Sequence, residues 1–269
     1  MEAVQAISKD YPKNSPEEKI MLAALKDPNW KIREYAIKNF KIFTADPDSL
    51  KNTKTILSRI AQSDKKSSVR NQALTLLGKY FPKDDELIGL CQSLINDSSY
   101  MVMQTAFDLL ASNDKDAALV LGKNYENTSD QNIILILAKI YASVGSDKQA
   151  KYMLRAFQAV KGDRQYKMIS NYGKFLMRCT DKNHLTDGIL ALYDNGQKNT
   201  KWHNRLSITQ SLKALASQLS EREKTQIKAS DNTAAAETTE LKTMATKYYE
   251  DLKHNEKDEE LLKIYQSEK

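Results

Sequence analysis

The sequence predicts an all-α chain organised as an α-solenoid, a stack of about six to seven helix pairs. Three observations predict it. Only 8 glycines and 5 prolines interrupt 269 residues, too few for many short strands and tight turns and suited to long helices with brief loops. A signature recurs at the roughly 30–40-residue period of helical arrays. Apolar residues return at three- and four-residue intervals, which places them on one helix face. The apolar share of 41% and the charged share of 28% fit a quasi-one-dimensional array, which exposes more surface per residue than a sphere.

The signature occurs in three segments: Asp27-Pro-Asn-Trp30-Lys31-Ile32-Arg33-Glu-Tyr-Ala36, Asp64-Lys65-Lys66-Ser-Ser-Val69-Arg70-Asn-Gln-Ala73 and Asp97-Ser-Ser-Tyr-Met-Val102-Met103-Gln-Thr-Ala106. Ser129, Ile134 and Ala138 form a weaker fourth copy. The β-branched positions 32, 69, 102 and 134 are separated by 37, 33 and 32 residues. The Asp or Ser is expected to end a turn and cap the following helix, accepting bonds from its free N–H groups. The β-branched residue and the Ala, four apart, share a face that continues as Val69, Ala73, Leu76, Leu77 and Tyr80 in the second copy and as Val102, Ala106, Leu109 and Leu110 in the third. A small alanine lets neighbouring helices approach.

Amphipathic segments precede these helices: Ile20–Leu25, Ile56–Ala61, Leu87–Ile95 and Ala117–Leu121. Each unit is thus helix A, a turn, and helix B, and several units must stack to bury a continuous core. Beyond residue 145 the signature fades while helical periodicity persists through Gln149–Val160, Gln165–Cys179, Leu185–Tyr193 and Trp202–Leu219. The repeat array is assigned to 1–227, clearest over 18–143, and a charged capping region to 228–269, whose polar start at 228–238 reads either as a loop or as the start of the last helix.

Asp, then Val/Ile, then Arg, then Ala resembles the HEAT repeat. The resemblance implies a hydrogen-bonded ladder between Asp and Arg of successive repeats, here Asp27, Arg33, Asp64, Arg70 and Asp97. With Met103 and Leu135 replacing the arginine in later copies, the ladder is expected to stop after the second. A narrower likeness covers 116–215. The run DAALVLGKNYENTSDQNIILILAKIYASVGSDKQAKYMLRAF, the later NYGKFLMRC and the helix NTKWHNRLSITQSLKAL resemble the C-terminal helical region of bacterial aminopeptidase N-like zinc peptidases, the gluzincin class. That resemblance implies a non-catalytic domain that covers and shapes the substrate cavity of an upstream catalytic domain of the same polypeptide. Zinc would belong to that parent.

No catalytic residue carries over. The zinc motif His-Glu-x-x-His sets two histidines one turn apart toward one metal, whereas His184, His203 and His254 are scattered. Gly-x-Ser-x-Gly and Gly-x-x-x-x-Gly-Lys are absent, so neither a nucleophile elbow nor that type of phosphate loop is present. Asp84, Asp85 and Glu86 read as a helix N-terminal cap, and the C-terminal carboxylates as a solvated face. Cys91 and Cys179 read as buried and structural. No cofactor site is expected in this chain. The segment MEAVQAISKDYPK lacks the apolar core of a signal peptide, and no apolar run reaches the roughly 20 residues needed to cross a bilayer. The chain is therefore expected to be soluble, in an unspecified compartment.

Residues 31–80 hold eleven Lys/Arg against four Asp/Glu, a balance of +7, whereas 217–269 hold nine against twelve, a balance of −3. The basic segment can mean solvation, an acidic protein partner or nucleic acid. The candidate surface is Trp30, Lys31, Lys38, Lys41, Lys65 and Lys66. Lys31, Lys65 and Lys66 are assigned to A–B turns, Lys38 and Lys41 to helix B, and nucleic acid is the weakest reading because phosphates need cations on one face. Trp30 reads as a core or staple residue, or else an exposed anchor. The chain thus reads either as part of a parent peptidase or as a stand-alone protein-binding scaffold.

Overall fold

The structure, a computed structural model, describes residues 4, 7, 11–43 and 45–267. Most of the N-terminal segment read above for a signal peptide lies outside these residues. The described residues are all-helical, with fourteen α-helices, two 3-10 turns and no strand. None of these helices is long and apolar enough to cross a membrane. The chain forms two compact units, Met1–Leu121 and Gly122–Lys269.

In the first unit run α1 (Pro16–Ala24), α2 (Trp30–Asn39), α3 (Pro47–Ser63), α4 (Ser67–Tyr80), α5 (Asp85–Leu94) and α6 (Tyr100–Asn113). Consecutive helices pair as α1–α2, α3–α4 and α5–α6. Within this unit α2, α4 and α6 are neighbours in one layer, and α3 touches α5 in the other. Local sequence explains where helix A of each pair begins. Ser15 accepts from the Glu18 N–H ahead of Pro16, Asp46 accepts from the Asp48 and Ser49 N–H groups ahead of Pro47, and Asp84 accepts from the Leu87 N–H. Proline at the first helical position gives up a donor that would lack a partner there anyway. The helix B alanines Ala36, Ala73 and Ala106 are fully buried, so the helix layer closes over small side chains.

The boundary between the units falls within α7 (Lys115–Lys123). The second unit contains α8 (Gln131–Val144), α9 (Ala150–Ala159), α10 (Gln165–Leu176), α11 (Lys182–Lys198), α12 (Trp202–Lys228), α13 (Asn232–His254) and α14 (Glu259–Ser267). Here α8, α10 and α12 form one layer and α9, α11 and α13 the other. The polar stretch at 228–238 is almost all helix: α12 ends at Lys228, and Asp231 caps α13 by accepting from the Ala234 N–H. Only Ala229–Asp231 turn, with Ser230 in the left-handed region at φ 59. The longest interface of the unit is α12 against α13. Phe157 stacks on Tyr172 at 4.6 Å, Tyr141 meets Tyr152 edge-on at 5.4 Å, and the Tyr141 hydroxyl donates to Glu126 at 2.8 Å. Cys91 and Cys179 are buried free thiols, pushed up to about 12 by burial, with Asp147 adding to the effect on Cys179.

A polar junction joins the turn after α8 to the turn after α10. The Asp147 carboxylate accepts from the Thr180 hydroxyl at 2.7 Å, the Thr180 N–H at 3.0 Å and the Asp181 N–H at 3.2 Å, while Arg178 Nε donates to the Gly145 carbonyl at 3.0 Å. Burial raises the Asp147 pKa, but these donors and His184 outweigh it and hold the group at about 2. A carboxylate held below its ordinary 3.8 stabilises the fold above that value, and the contribution is lost as pH falls through about 2. Asp147→Asn is therefore expected to cost about 1–2 kcal/mol near neutral pH, after allowance for partial exposure. The gap between wild-type and variant urea midpoints should narrow steadily below pH 4. A gap that stays constant over that range would show that the carboxylate charge is not what the junction uses.

Candidate functional site

The three A–B turns of the first unit share one construction. The Asp27, Asp64 and Asp97 Oδ1 atoms accept the N–H two residues on, from Asn29 at 2.7 Å, Lys66 at 2.8 Å and Ser99 at 2.8 Å. These are Asx turns, in which a short carboxylate folds the backbone after it. The expectation that the signature Asp caps helix B is thereby corrected: Asn29, Lys66 and Ser99 occupy the N-cap positions of α2, α4 and α6, and Asp130 rather than Ser129 caps α8. The signature Asp lies two residues too early to reach the first helical N–H groups, so it closes the turn instead. Lys66 and Ser99 make no side-chain cap bond.

Each signature arginine spans two turns. Arg33 Nη1 donates to the carbonyls of Asp27 at 2.8 Å and Pro28 at 3.0 Å, while its Nε and Nη2 donate to Asp64 at 2.6 and 2.7 Å. Arg70 Nη1 donates to the Asp64 carbonyl at 2.8 Å, and its Nε and Nη2 bind Asp97 at 2.8 and 2.6 Å. Asp27, Arg33, Asp64, Arg70 and Asp97 thus form one continuous series in the first unit. Bidentate guanidinium–carboxylate pairs are the strong, direction-fixing kind. Both pairs are mostly buried, with Asp64 and Asp97 side chains only 8% and 7% exposed. Burial alone would raise the Asp64 pKa, but hydrogen bonds from Arg33 and Lys66 more than reverse it and keep the carboxylate below its ordinary range.

A third arginine does the same in the second unit. Arg205 Nη1 donates to the Asn199 and Thr200 carbonyls at 3.1 and 3.0 Å, and its Nε and Nη2 each reach Glu256 at 2.8 Å. The Asn199 side chain accepts the Lys201 N–H at 3.1 Å, repeating the Asx turn. Asp27-x-x-Trp30-x-x-Arg33 and Asn199-x-x-Trp202-x-x-Arg205 therefore match in spacing and in use. Allowing Asn for Asp and adding the Trp would have exposed this copy in the sequence. Asn204 at the β-branched position and the distant Glu256 acceptor concealed it.

Of the six candidate surface residues, the structure gathers four. Trp30 opens α2 half-buried, with Lys66 Nζ 4.6 Å and Lys31 Nζ 5.8 Å from its ring centre, a cation–π arrangement reaching from one A–B turn to the next. Lys65 and Lys66 also flank a groove of about 530 Å³ that runs past Ser67 and Ser99 to Tyr100 and Met101. Tyr100 and Met101 are each 45% exposed. Among the described residues Lys31, Lys65 and Lys66 have no carboxylate partner. Lys38 and Lys41 stand elsewhere. Lys38 pairs with Glu34 at 3.2 Å on the flank of α2, and Lys41 lies past the end of that helix, with its ammonium 5.5 Å from the Phe43 ring centre. Placing Lys41 on helix B is therefore corrected, because α2 ends at Asn39 and the chain after it is extended.

His184, His203 and His254 belong to α11, α12 and α13 respectively. Among the described residues no three His, Cys, Asp or Glu side chains gather as a metal site. No protein-family model matches this sequence, and no curated protein matches it.

The ladder makes a quantitative expectation. Arg70→Met keeps the stem but strands the Asp97 carboxylate, and should destabilise the fold by about 2–4 kcal/mol. Adding Asp97→Asn, which can still close its turn, should recover part of that loss. Urea unfolding of wild type, both single variants and the double variant reads the coupling, and strictly additive losses would show that the pair does not act as a unit.

Proposed function

We propose that this chain is a non-catalytic helical-repeat module, a HEAT-like α-solenoid of about six to seven helix pairs. The observation that carries the reading is the arginine that binds the carbonyls of its own turn and a carboxylate of a later one, at Arg33, Arg70 and Arg205. Such a contact is useful where similar turns recur side by side. The two-layer neighbour relations of helices within each unit support the same reading.

For its role, the likeness of 116–215 to the C-terminal helical region of aminopeptidase N-like zinc peptidases favours a domain that covers and shapes the cavity of an upstream catalytic domain. Its mechanism is steric: stacked helices limit what enters, and no bond is made or broken by residues of this chain. Zinc and the reacting groups belong to the parent domain. A second reading, a stand-alone scaffold for a protein partner, is favoured by the exposed edge at Trp30, Lys66, Tyr100 and Met101.

The isolated chain is expected to hydrolyse no amino-acid p-nitroanilide, with or without added zinc, while the coding region upstream carries His-Glu-x-x-His. Hydrolysis by a clean preparation would overturn the non-catalytic assignment. An independent start codon preceded by unrelated sequence would remove the peptidase role and leave the scaffold.

A further inference from the structure

We infer that the A–B edge of the first unit is a docking strip for an acidic, extended peptide segment that ends in apolar residues. The inference rests on the binding-scaffold reading and specifies its partner.

The strip is defined by what is neutralised on it and what is not. Arg33 and Arg70 are bound by carbonyls of their own turns and paired with Asp64 and Asp97. Their charge is unavailable to a partner, as is that of the two carboxylates. Lys31, Lys65 and Lys66 carry no such partner among the described residues. One carboxylate, Asp27, shares the edge and is engaged by the Asn29 N–H, so three ammonium groups stand against one carboxylate. Two of the three rest over the face of Trp30, which limits their rotamers without using up their donors.

The far end of the strip differs. Past Lys65 and Lys66 the groove reaches Tyr100 and Met101, whose apolar surfaces are almost half exposed. Trp30, Lys66 and Tyr100 begin, or immediately precede, α2, α4 and α6. Adjacent helices lie about 10 Å apart, so three such starts make a strip of about 20 Å, the span of about six extended residues. Carboxylates laid over the lysines and a Leu or Phe laid on Tyr100 and Met101 would match both ends. Nucleic acid fits less well. Affinity for nucleic acid is built from many cation–phosphate contacts, and the strip offers three.

The test uses the full chain and a fluorescein-labelled synthetic peptide, an acidic stretch ending in Leu-Phe, made in both sequence orders. Its counterpart carries Gln and Asn at the acidic positions. Fluorescence polarisation should report binding of one acidic peptide that weakens as salt is raised, and little binding of the amide counterpart. Lys65→Glu with Lys66→Glu should reduce affinity about tenfold or more, and Met101→Ser about threefold. Lys198→Glu, a charge reversal in the second unit, should change nothing. All these positions are exposed, and unchanged urea midpoints would show that the variants remain folded. Equal binding of acidic and amide peptides, indifference to the paired charge reversal, or no binding at about 1 mM peptide would each overturn the proposal. So would displacement of the peptide by a single-stranded oligonucleotide at lower concentration, in favour of nucleic acid. The repeat reading fails separately, through additive losses at Arg70 and Asp97, so a negative peptide result with that coupling intact removes the strip alone.

Discussion

The structure depends on a guanidinium placed between two turns. A helix pair cannot bury both of its apolar faces, so it needs neighbours, and apolar contacts alone leave the sliding of one pair along another weakly specified. The arginine removes that freedom. Arg33 binds carbonyls of the turn at Asp27–Pro28 and the carboxylate of Asp64, so the two turns are held at one side chain's reach. Because Asp64 also folds its own turn by accepting the Lys66 N–H, the same carboxylate fixes local backbone and the distance to the neighbour. Each group has several partners, which makes a mostly buried charge tolerable: a guanidinium with half its donors idle would carry a desolvation penalty that nothing offset. The edge bearing Lys65, Lys66, Tyr100 and Met101 is a consequence, since those residues sit on turns whose spacing the arginines set.

How far such a construction can be read in advance depends on whether its signal is local. The β-branched residue and Ala at four-residue spacing are local, and they mark the buried face of α2, α4, α6 and α8 because a helix brings those positions together whatever surrounds it. Ala36, Ala73, Ala106 and Ala138 are fully buried accordingly. The role of the Asp was legible only in part. A carboxylate three residues before a helix and one at its cap look alike in sequence, and the difference is decided by which N–H groups the turn presents. Arg205 was missed for a long-range reason. Its acceptor Glu256 lies 51 residues away because α12 and α13 are long, so no fixed period connects the two. The polarity of the 228–238 stretch leaves loop and helix both open in the sequence. Ala, Glu and Thr there form an exposed helix behind an Asp cap, and low hydrophobicity signals solvent rather than loop.

The surface residues divide by the same criterion. Lys31 and Trp30 are sequence neighbours at a helix start, but Lys66 reaches the Trp30 ring from 36 positions away, a contact that exists only once α2 and α4 lie side by side. Lys38, seven residues after Lys31, is carried about 10 Å along the axis and has a local partner in Glu34. A segment rich in positive charge therefore resolves into lysines that stabilise their own helix, arginines consumed by the ladder, and a few ammonium groups left facing outward. Net charge reports the sum of these three classes, whereas a partner meets only the last.

The titratable groups with resolved shifts are held in structural contacts. Acid–base catalysts are tuned toward the pH at which they work. Here the resolved shifts run the other way. Burial drives the thiols of Cys91 and Cys179 up to about 12, where a nucleophilic thiolate is disfavoured. Asp64 and Glu256 are held below their ordinary range, although burial opposes it, because guanidinium partners keep them charged. Each displacement moves a group further from neutrality and deeper into a structural contact. A side chain committed in this way keeps one protonation state and one position, and turns built from such groups hold one shape. That constancy is what the proposed docking strip requires, since a preformed strip leaves only the peptide's own segment to be ordered on binding.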